Sequence, residues 1–352
     1  MNLYLLNILC IIIWSILFSK HKSGKHNRTY FFYAVTIQIL LFHALREPFA
    51  FPDGDTYAMA FDNIRQMSFS EAIFDLNRYT LWGHGYVLLN WGLGRICEDY
   101  HILFFATSTI IVLCTFWFYY KTSYNLLFSF LAFALYPFLM YQSMNAIRQH
   151  CAAAILLLSL YYIRNLKLSI PLFILSVSFH TTAIVFAPFY FIYNKLNKIS
   201  PSKIIVFGIL VLLIIKVGMH YFFQIVERYE HYQEIKNSNT LPLLVVGSVL
   251  GGHILNKTYK YKLDVHDDIV YKYLIYSTFI LVGLTGTGGG RLASYFVYIM
   301  PVSLPMLFKY NKQQQSWKEI FAFIYMMALI YLWYSTTLNA DFSEYHFLLQ
   351  SL

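Results

Sequence analysis

Eleven apolar runs recur along this chain, and they leave it few ways to fold. They fall near residues 3–19, 30–45, 101–120, 125–143, 150–163, 168–194, 204–222, 241–255, 270–287, 291–308 and 319–338. Most can cover the ~30 Å hydrocarbon layer as a helix of about 20 residues. Only helices and closed barrels satisfy their own backbone in lipid, and runs of this length predict helices. Composition agrees: 58% of residues are hydrophobic and 12% charged, with a mean hydropathy of +0.52, whereas soluble domains carry about 25% charge. Aromatic residues make up 20% of the chain, which suits helices that meet headgroups through Tyr and Trp. The predicted fold class is all-α, a single polytopic membrane helix bundle over 1–352.

Two runs depart from the simple pattern. The 150–163 run is short, and 168–194 is too long for one span. Splitting the latter at S-F-H-T-T-A gives two short helices, 168–179 and 182–194, and puts Arg164, Lys167, Lys195, Lys198 and Lys203 on one side. The Gly-rich segment 81–96 reads as a re-entrant or interfacial helix that does not cross. The chain then crosses about 12 times, within a range of roughly 10–13 set by how short runs are counted. Both termini lie outside, and the first span is not cleaved. Residues 46–100 form an outer segment, and 223–240 form a second outer loop whose alternating charges suit an interfacial helix.

This topology leaves 17 Lys and Arg in cytoplasmic loops and eight outside, from a total of 26 with Lys216 inside a span. The net charge of +9 is thus explained by orientation, not by nucleic-acid binding. The two sides differ in kind. Fifteen of the inner cations are Lys, and seven of the eight outer ones are Arg. Lys serves as a solvated charge, while Arg offers a planar fork matched to phosphate and carboxylate. The outer face has the composition of an anion-binding surface. Cys10, Cys97, Cys114 and Cys151 have no metal or redox spacing, so no disulfide and no metal site is expected.

Four clusters carry chemistry. In Q-S-M-N-A-I-R-Q-H, residues 142–150, Asn145, Arg148 and Gln149 concentrate hydrogen-bond donors. They fit either recognition of a pyrophosphate or sugar, or an Arg snorkelling to headgroups. His180 in S-F-H-T-T-A is either a base for a hydroxyl proton or a packed, hydrogen-bonded imidazole. Residues 283–296, G-L-T-G-T-G-G-G-R-L-A-S-Y-F, join flexible glycines to Arg291 at a helix start, an anion cradle or a mobile loop. In F-P-D-G-D-T-Y, Asp53 and Asp55 suit a cation site or general base, and D-G-D is equally turn chemistry. Trp82, His84 and Tyr86 read foremost as an interfacial belt, with a sugar-stacking wall as the other option. Asp341, Glu344 and His346 in the tail are placed to fold over the outer side. No nucleotide-binding loop, G-x-S-x-G or H-E-x-x-H occurs.

The order D-G-D-x-Y, N-x-x-R-Q, S-F-H-T-T-A and R-L-A-S-Y-F resembles the EpsG-like group of Wzy-type polysaccharide polymerases, over roughly residues 50–310. The resemblance implies a bacterial inner-membrane glycosyltransferase related to the GT-C classes, active at the periplasmic face on oligosaccharide units carried by undecaprenyl pyrophosphate. It implies no cofactor. It puts Arg148 and Arg291 near the pyrophosphate and His180 or Asp55, with Asp53, near the acceptor hydroxyl. Asn145, Gln149, Tyr57, Arg78 and Tyr295 complete the expected substrate-binding set. Chain-length regulators and flippases are the expected protein partners. Two other functions share these features: a transferase using a polyprenyl-monophosphate sugar, with a divalent metal on Asp53 and Asp55, and a flippase or transporter for lipid-linked glycans.

Overall fold

The computed structural model describes residues 3–19, 24–74, 82–194, 217, 240–284, 292–310 and 315–338. Among them, every extended regular element is a helix. The chain divides into two compact units, one of residues 1–121, 130–184 and 326–352, the other of 122–129 and 185–325. Among the described residues, two helices, His101–Thr122 and Ser316–Thr336, are long and apolar enough to cross a membrane, and a bent pair makes up to three. The outer loop expected at 223–240 falls almost entirely outside the described residues, as do the 285–291 glycines and the tail.

In the first unit, α1 (Leu3–Ser19) and α2 (Gly24–Ala44) pack side by side. Their polar residues pair: Trp14 Nε1 donates to Gln38 Oε1 at 2.9 Å, and Gln38 Nε2 donates to Asn7 Oδ1 at 2.5 Å. Such bonds bind helices where lipid offers no hydrogen-bond partner. The 46–100 segment folds into α3 (Gly54–Arg65), α4 (Phe69–Phe74) and α5 (His84–Gly94). Ser68 and Glu71 form a reciprocal cap at the start of α4, with Ser68 N–H on Glu71 Oε2 at 2.6 Å. Ala60, Ile64, Ala72 and Val87 give this segment a small core, against which Met67, Trp82 and Trp91 pack.

The long helix α6 (His101–Thr122) spans about 33 Å at 1.5 Å per residue. The 125–143 run, expected as one span, divides into α7 (Leu126–Leu135) and α8 (Pro137–Asn145), bent by 59°. Pro137 opens α8, where its missing N–H costs nothing and a continuing helix would clash. After Ala146, whose ψ of 58° leaves the helical region, α9 (Ile147–Tyr161) begins. It forms a close hairpin with α10 (Leu166–Phe179). Small residues at 151–154 permit the approach, and hydroxyls fasten it: Ser159 Oγ donates to Ser169 O at 2.6 Å, Ser169 Oγ to Ser159 O at 2.7 Å, and Ser176 Oγ to Ala152 O at 2.7 Å. The 168–194 run breaks at the expected place. α10 ends at Phe179, His180 is extended (φ −153°, ψ 116°), and a 3-10 turn over Thr181–Phe186 precedes α11 (Ala187–Ile192).

The second unit holds α12 (Thr240–Leu255), α13 (Val265–Leu284), α14 (Ala293–Val297) and α15 (Met300–Met306). Its core is aromatic, with Phe186, Tyr273, Tyr276 and Phe296 in mutual ring contact. Pro301 and Pro305 shorten the last of these helices. The final helix, α16, runs over Gln315–Leu338.

Candidate active site

Arg148 lies in the first turn of α9, immediately after the break that ends α8. Three rings surround its guanidinium: Trp82 at 4.4 Å, Tyr86 at 5.9 Å and Tyr57 at 6.0 Å from ring centroid to Cζ. They come from different elements, Tyr57 from α3, Trp82 from the residue before Gly83, and Tyr86 from the first turn of α5. The rings also brace one another, with centroids 5.7 Å apart for Tyr57–Trp82 and Trp82–Tyr86 and 6.1 Å for Tyr57–Tyr86. Tyr57 and Tyr86 are buried, while Trp82 and Arg148 are half-buried.

The F-P-D-G-D-T-Y motif is the start of α3. Asp53 is its N-cap and Asp55 stands in its first turn with an exposed side chain, where the helix dipole favours negative charge. Asn145 Oδ1 accepts the Asp53 backbone N–H at 2.9 Å, which ties this motif to the end of α8. The glycine between the two carboxylates is sterically required, because a Cβ there would lie 1.9 Å from Pro48 O. Gln149 is buried beside Arg148 in sequence.

His180 follows α10, and its Nδ1 is 2.6 Å from Thr182 Oγ1. Two close approaches connect it with the ring cluster. A Cβ on Gly83 would stand 2.1 Å from Ser178 O, and one on Gly85 would stand 2.2 Å from Ser178 Oγ. The W-G-H-G-Y segment is therefore seated on the residues just before His180. Tyr86 and Phe179 are in edge contact at 6.3 Å. From the other side, His150, two residues after Arg148, is near enough to His180 for their charges to interact. Asp53, Tyr57, Asn145, Arg148 and His180 thus sit on adjoining elements of one unit. Tyr295 belongs to the second unit, where it is fully buried and its carbonyl accepts from the Tyr273 hydroxyl. Arg78 and Arg291 lie outside the described residues.

Residues 29–349 match the EpsG family. The chain belongs to the EpsG family. No curated protein and no solved structure matches it. Membership indicates a membrane protein of the polysaccharide-polymerase type, which is a glycosyltransferase class acting on lipid-linked glycans. The matched span takes in the whole Arg148 neighbourhood.

Within this EpsG-family fold, two features escape a reading of the sequence. Trp82 and Tyr86 look like belt aromatics, yet their rings face Arg148. Arg46 looks like an outer loop charge, yet it is 1% exposed. Its guanidinium donates to His43 O, to Ser108 Oγ at 3.0 Å and to Met144 O at 3.0 Å, and lies 5.2 Å from the Phe104 ring. A charge that closes an apolar run is the one available signal, since a buried intramembrane Arg demands partners. Through Met144 it holds the last turn of α8, next to Asn145 and three residues before the α9 start. Among the described residues no group of three or more His, Cys, Asp and Glu is arranged to hold a metal ion.

Proposed function

We propose that this EpsG-family protein polymerises oligosaccharide units carried on undecaprenyl pyrophosphate, at the periplasmic face of the bacterial inner membrane. The observation that supports this most directly is the ring-lined Arg148, mounted on a helix junction whose neighbour segment carries His180. A terminal hydroxyl of one unit attacks the anomeric carbon of the growing glycan. The bond from that carbon to the carrier pyrophosphate breaks, and the pyrophosphate departs with the electron pair. Arg148 stabilises the charge that develops, as positioned donors do where a leaving group becomes anionic. Asn145, Gln149 and Tyr57, on adjoining elements of the same unit, supply further substrate contacts.

His180 takes the hydroxyl proton. In the tautomer whose Nδ1–H donates to Thr182 Oγ1, Nε2 is the nitrogen that receives the proton. Asp53 and Asp55 are the other bases within the motif set, and their position at the start of α3 also suits a role in stabilising that helix. Short helices broken at Pro137, His180 and Pro301 are consistent with a chain that crosses about 12 times and carries re-entrant pieces near its outer side.

The test is incubation of the purified chain in lipid nanodiscs with a defined lipid-pyrophosphate repeat unit, followed by glycan sizing. Arg148→Ala is expected to lose the polymer ladder by about a hundredfold or more in rate while inserting normally. A full ladder from that variant overturns the assignment. A ladder formed only from a polyprenyl-monophosphate sugar overturns the carrier.

A further inference from the structure

We infer that Trp82 is a positioning residue that holds the Arg148 guanidinium in place for an oxyanion, with Tyr57 and Tyr86 completing an aromatic bracket. The inference rests on the reading of Arg148 as a pyrophosphate ligand and deepens it. A guanidinium has two kinds of surface. Its faces interact with ring π-systems, and its N–H donors point outward in its own plane. A ring beneath the cation holds it through the ring's π-face and adds no net negative charge. The Trp82 ring centroid stands 4.4 Å from Arg148 Cζ, nearer than Tyr86 or Tyr57.

The bracket is itself rigidly placed. Trp82 and Tyr86 flank Gly83 and Gly85; a Cβ on Gly83 would meet the Ser178 and Phe179 carbonyl oxygens, and one on Gly85 would meet the Ser178 side chain. Tyr57 closes the third side from α3, in edge contact with both other rings. Arg148 meets them at the first turn of a new helix, where the chain direction has just been reset at Ala146. A Trp that served only as a headgroup anchor would have no reason to sit between a pinned glycine and a guanidinium.

Inorganic pyrophosphate, titrated as an inhibitor of glycan extension by the full-length protein in nanodiscs, provides the readout. Trp82→Leu keeps apolar volume but removes the ring, and it is expected to raise the inhibition constant by about threefold to thirtyfold, the range such a contact supports. Trp82→Phe retains a smaller ring and should fall between Leu and wild type. The melting temperature of the Phe variant should stay at the wild-type value. Leu and Phe variants that both match wild type overturn the inference, and so does equal weakening in both, which would mean that Trp82 acts by bulk. If the Leu variant fails to insert, an unchanged constant for the Phe variant is enough to overturn it. Arg148→Ala separates the two levels. Because Arg148→Ala extends glycan too slowly for an inhibition assay, calorimetric titration with inorganic pyrophosphate supplies this readout: weakened binding in Arg148→Ala with none in the Trp82 variants defeats the bracket alone, and no weakening in Arg148→Ala defeats the pyrophosphate reading itself.

Discussion

Arg148 in the first unit and Lys309 in the second are both partly withdrawn from solvent, and the protein treats the two cations differently. Rings surround Arg148. Carboxylates surround Lys309: its Nζ contacts Asp264 and lies 2.6 Å from Asp267 Oδ2. Asp267 is buried and also accepts from the Tyr310 hydroxyl, while Asp264 caps α13 by accepting the Asp267 N–H at 2.8 Å. Burial pulls the Lys309 ammonium toward neutrality, but the hydrogen bonds and charges of Asp264 and Asp267 outweigh it and hold the ammonium well above the usual lysine range. A lysine neutralised in this way joins the loop before α13 to the turn after α15. Aromatic rings, unlike carboxylates, bring no formal charge against the cation they touch. The first arrangement is fastening, and the second is suited to receive an anion.

Exchanging the two chemistries should break this contrast most sharply. Arg148→Lys keeps the charge but loses the planar fork, hence at least one charge-assisted hydrogen bond of about 1.5–3 kcal/mol. Glycan extension should fall roughly tenfold to a hundredfold in initial rate. Lys309→Arg, whose carboxylate partners also accept a guanidinium, should stay within about threefold of wild type, since exposed and half-exposed pairs contribute about 0–1 kcal/mol. Equal losses in the two variants would remove the distinction.

That contrast was only half legible in the sequence. The break at His180 could be read because 27 apolar residues exceed one span and because Lys falls on either side of them. The end of α8 and the start of α9 were likewise visible, since Q-S-M-N-A-I-R-Q-H interrupts two apolar runs. The bracket was not visible. Trp82 and Arg148 are distant in sequence, and an aromatic near a membrane interface looks the same whether it meets a headgroup or a guanidinium. Arg46 was hidden for a similar reason, because its partners Ser108 and Met144 arrive through tertiary packing. Pro137 was in plain view, but hydropathy alone treats a run that bends by 59° as continuous.

The next largest effect concerns what seats the bracket. Gly83→Ala introduces a Cβ 2.1 Å from a backbone oxygen that cannot swing aside. Overpacking of this kind costs about 1–3 kcal/mol, readable as a lowered melting temperature together with weaker pyrophosphate inhibition. Gly92→Ala is the control, since nothing lies within 4 Å of its Cβ position, and a helix-interior Gly→Ala change stabilises by about 0.5–1 kcal/mol. On the carboxylate side, Asp267→Asn removes the charge that faces Lys309 while keeping an acceptor for Tyr310. It should lower stability by about 1 kcal/mol and leave the rate of glycan extension within about twofold, which is the resolution of an initial-rate comparison at this energy. A large rate loss would mean that the Lys309 cluster takes part in catalysis.

The smallest effect, and the one that separates the cations most cleanly, is that of alkaline pH. Lys309 has a folded-state pKa above its unfolded value of about 10.4. Its contribution is therefore fully present below that unfolded value and is lost as pH rises through the folded one. Asp264 runs the other way. Burial opposes ionisation there, but the Asp267 N–H and Lys309 bonds prevail and hold it below the usual carboxylate range, so its contribution is lost only as pH falls through that low value. Burial raises Asp267 despite its donors, which offsets part of the acidic limb. Tyr310 is pushed up to about 12 by burial and by its bond to Asp267, so its contribution also fades as pH rises through the same alkaline interval. Above about pH 10.5, hydrogen exchange at residues 264–268 should quicken, by less than the ~1 kcal/mol expected of a half-exposed pair. Lys309→Met should reduce that pH dependence to the part carried by Tyr310. Inorganic pyrophosphate should bind at Arg148 with undiminished affinity over the same interval. A parallel loss of pyrophosphate binding in wild type, but not in Lys309→Met, would mean that the two cations are coupled and that the division between fastening and receiving charge is wrong.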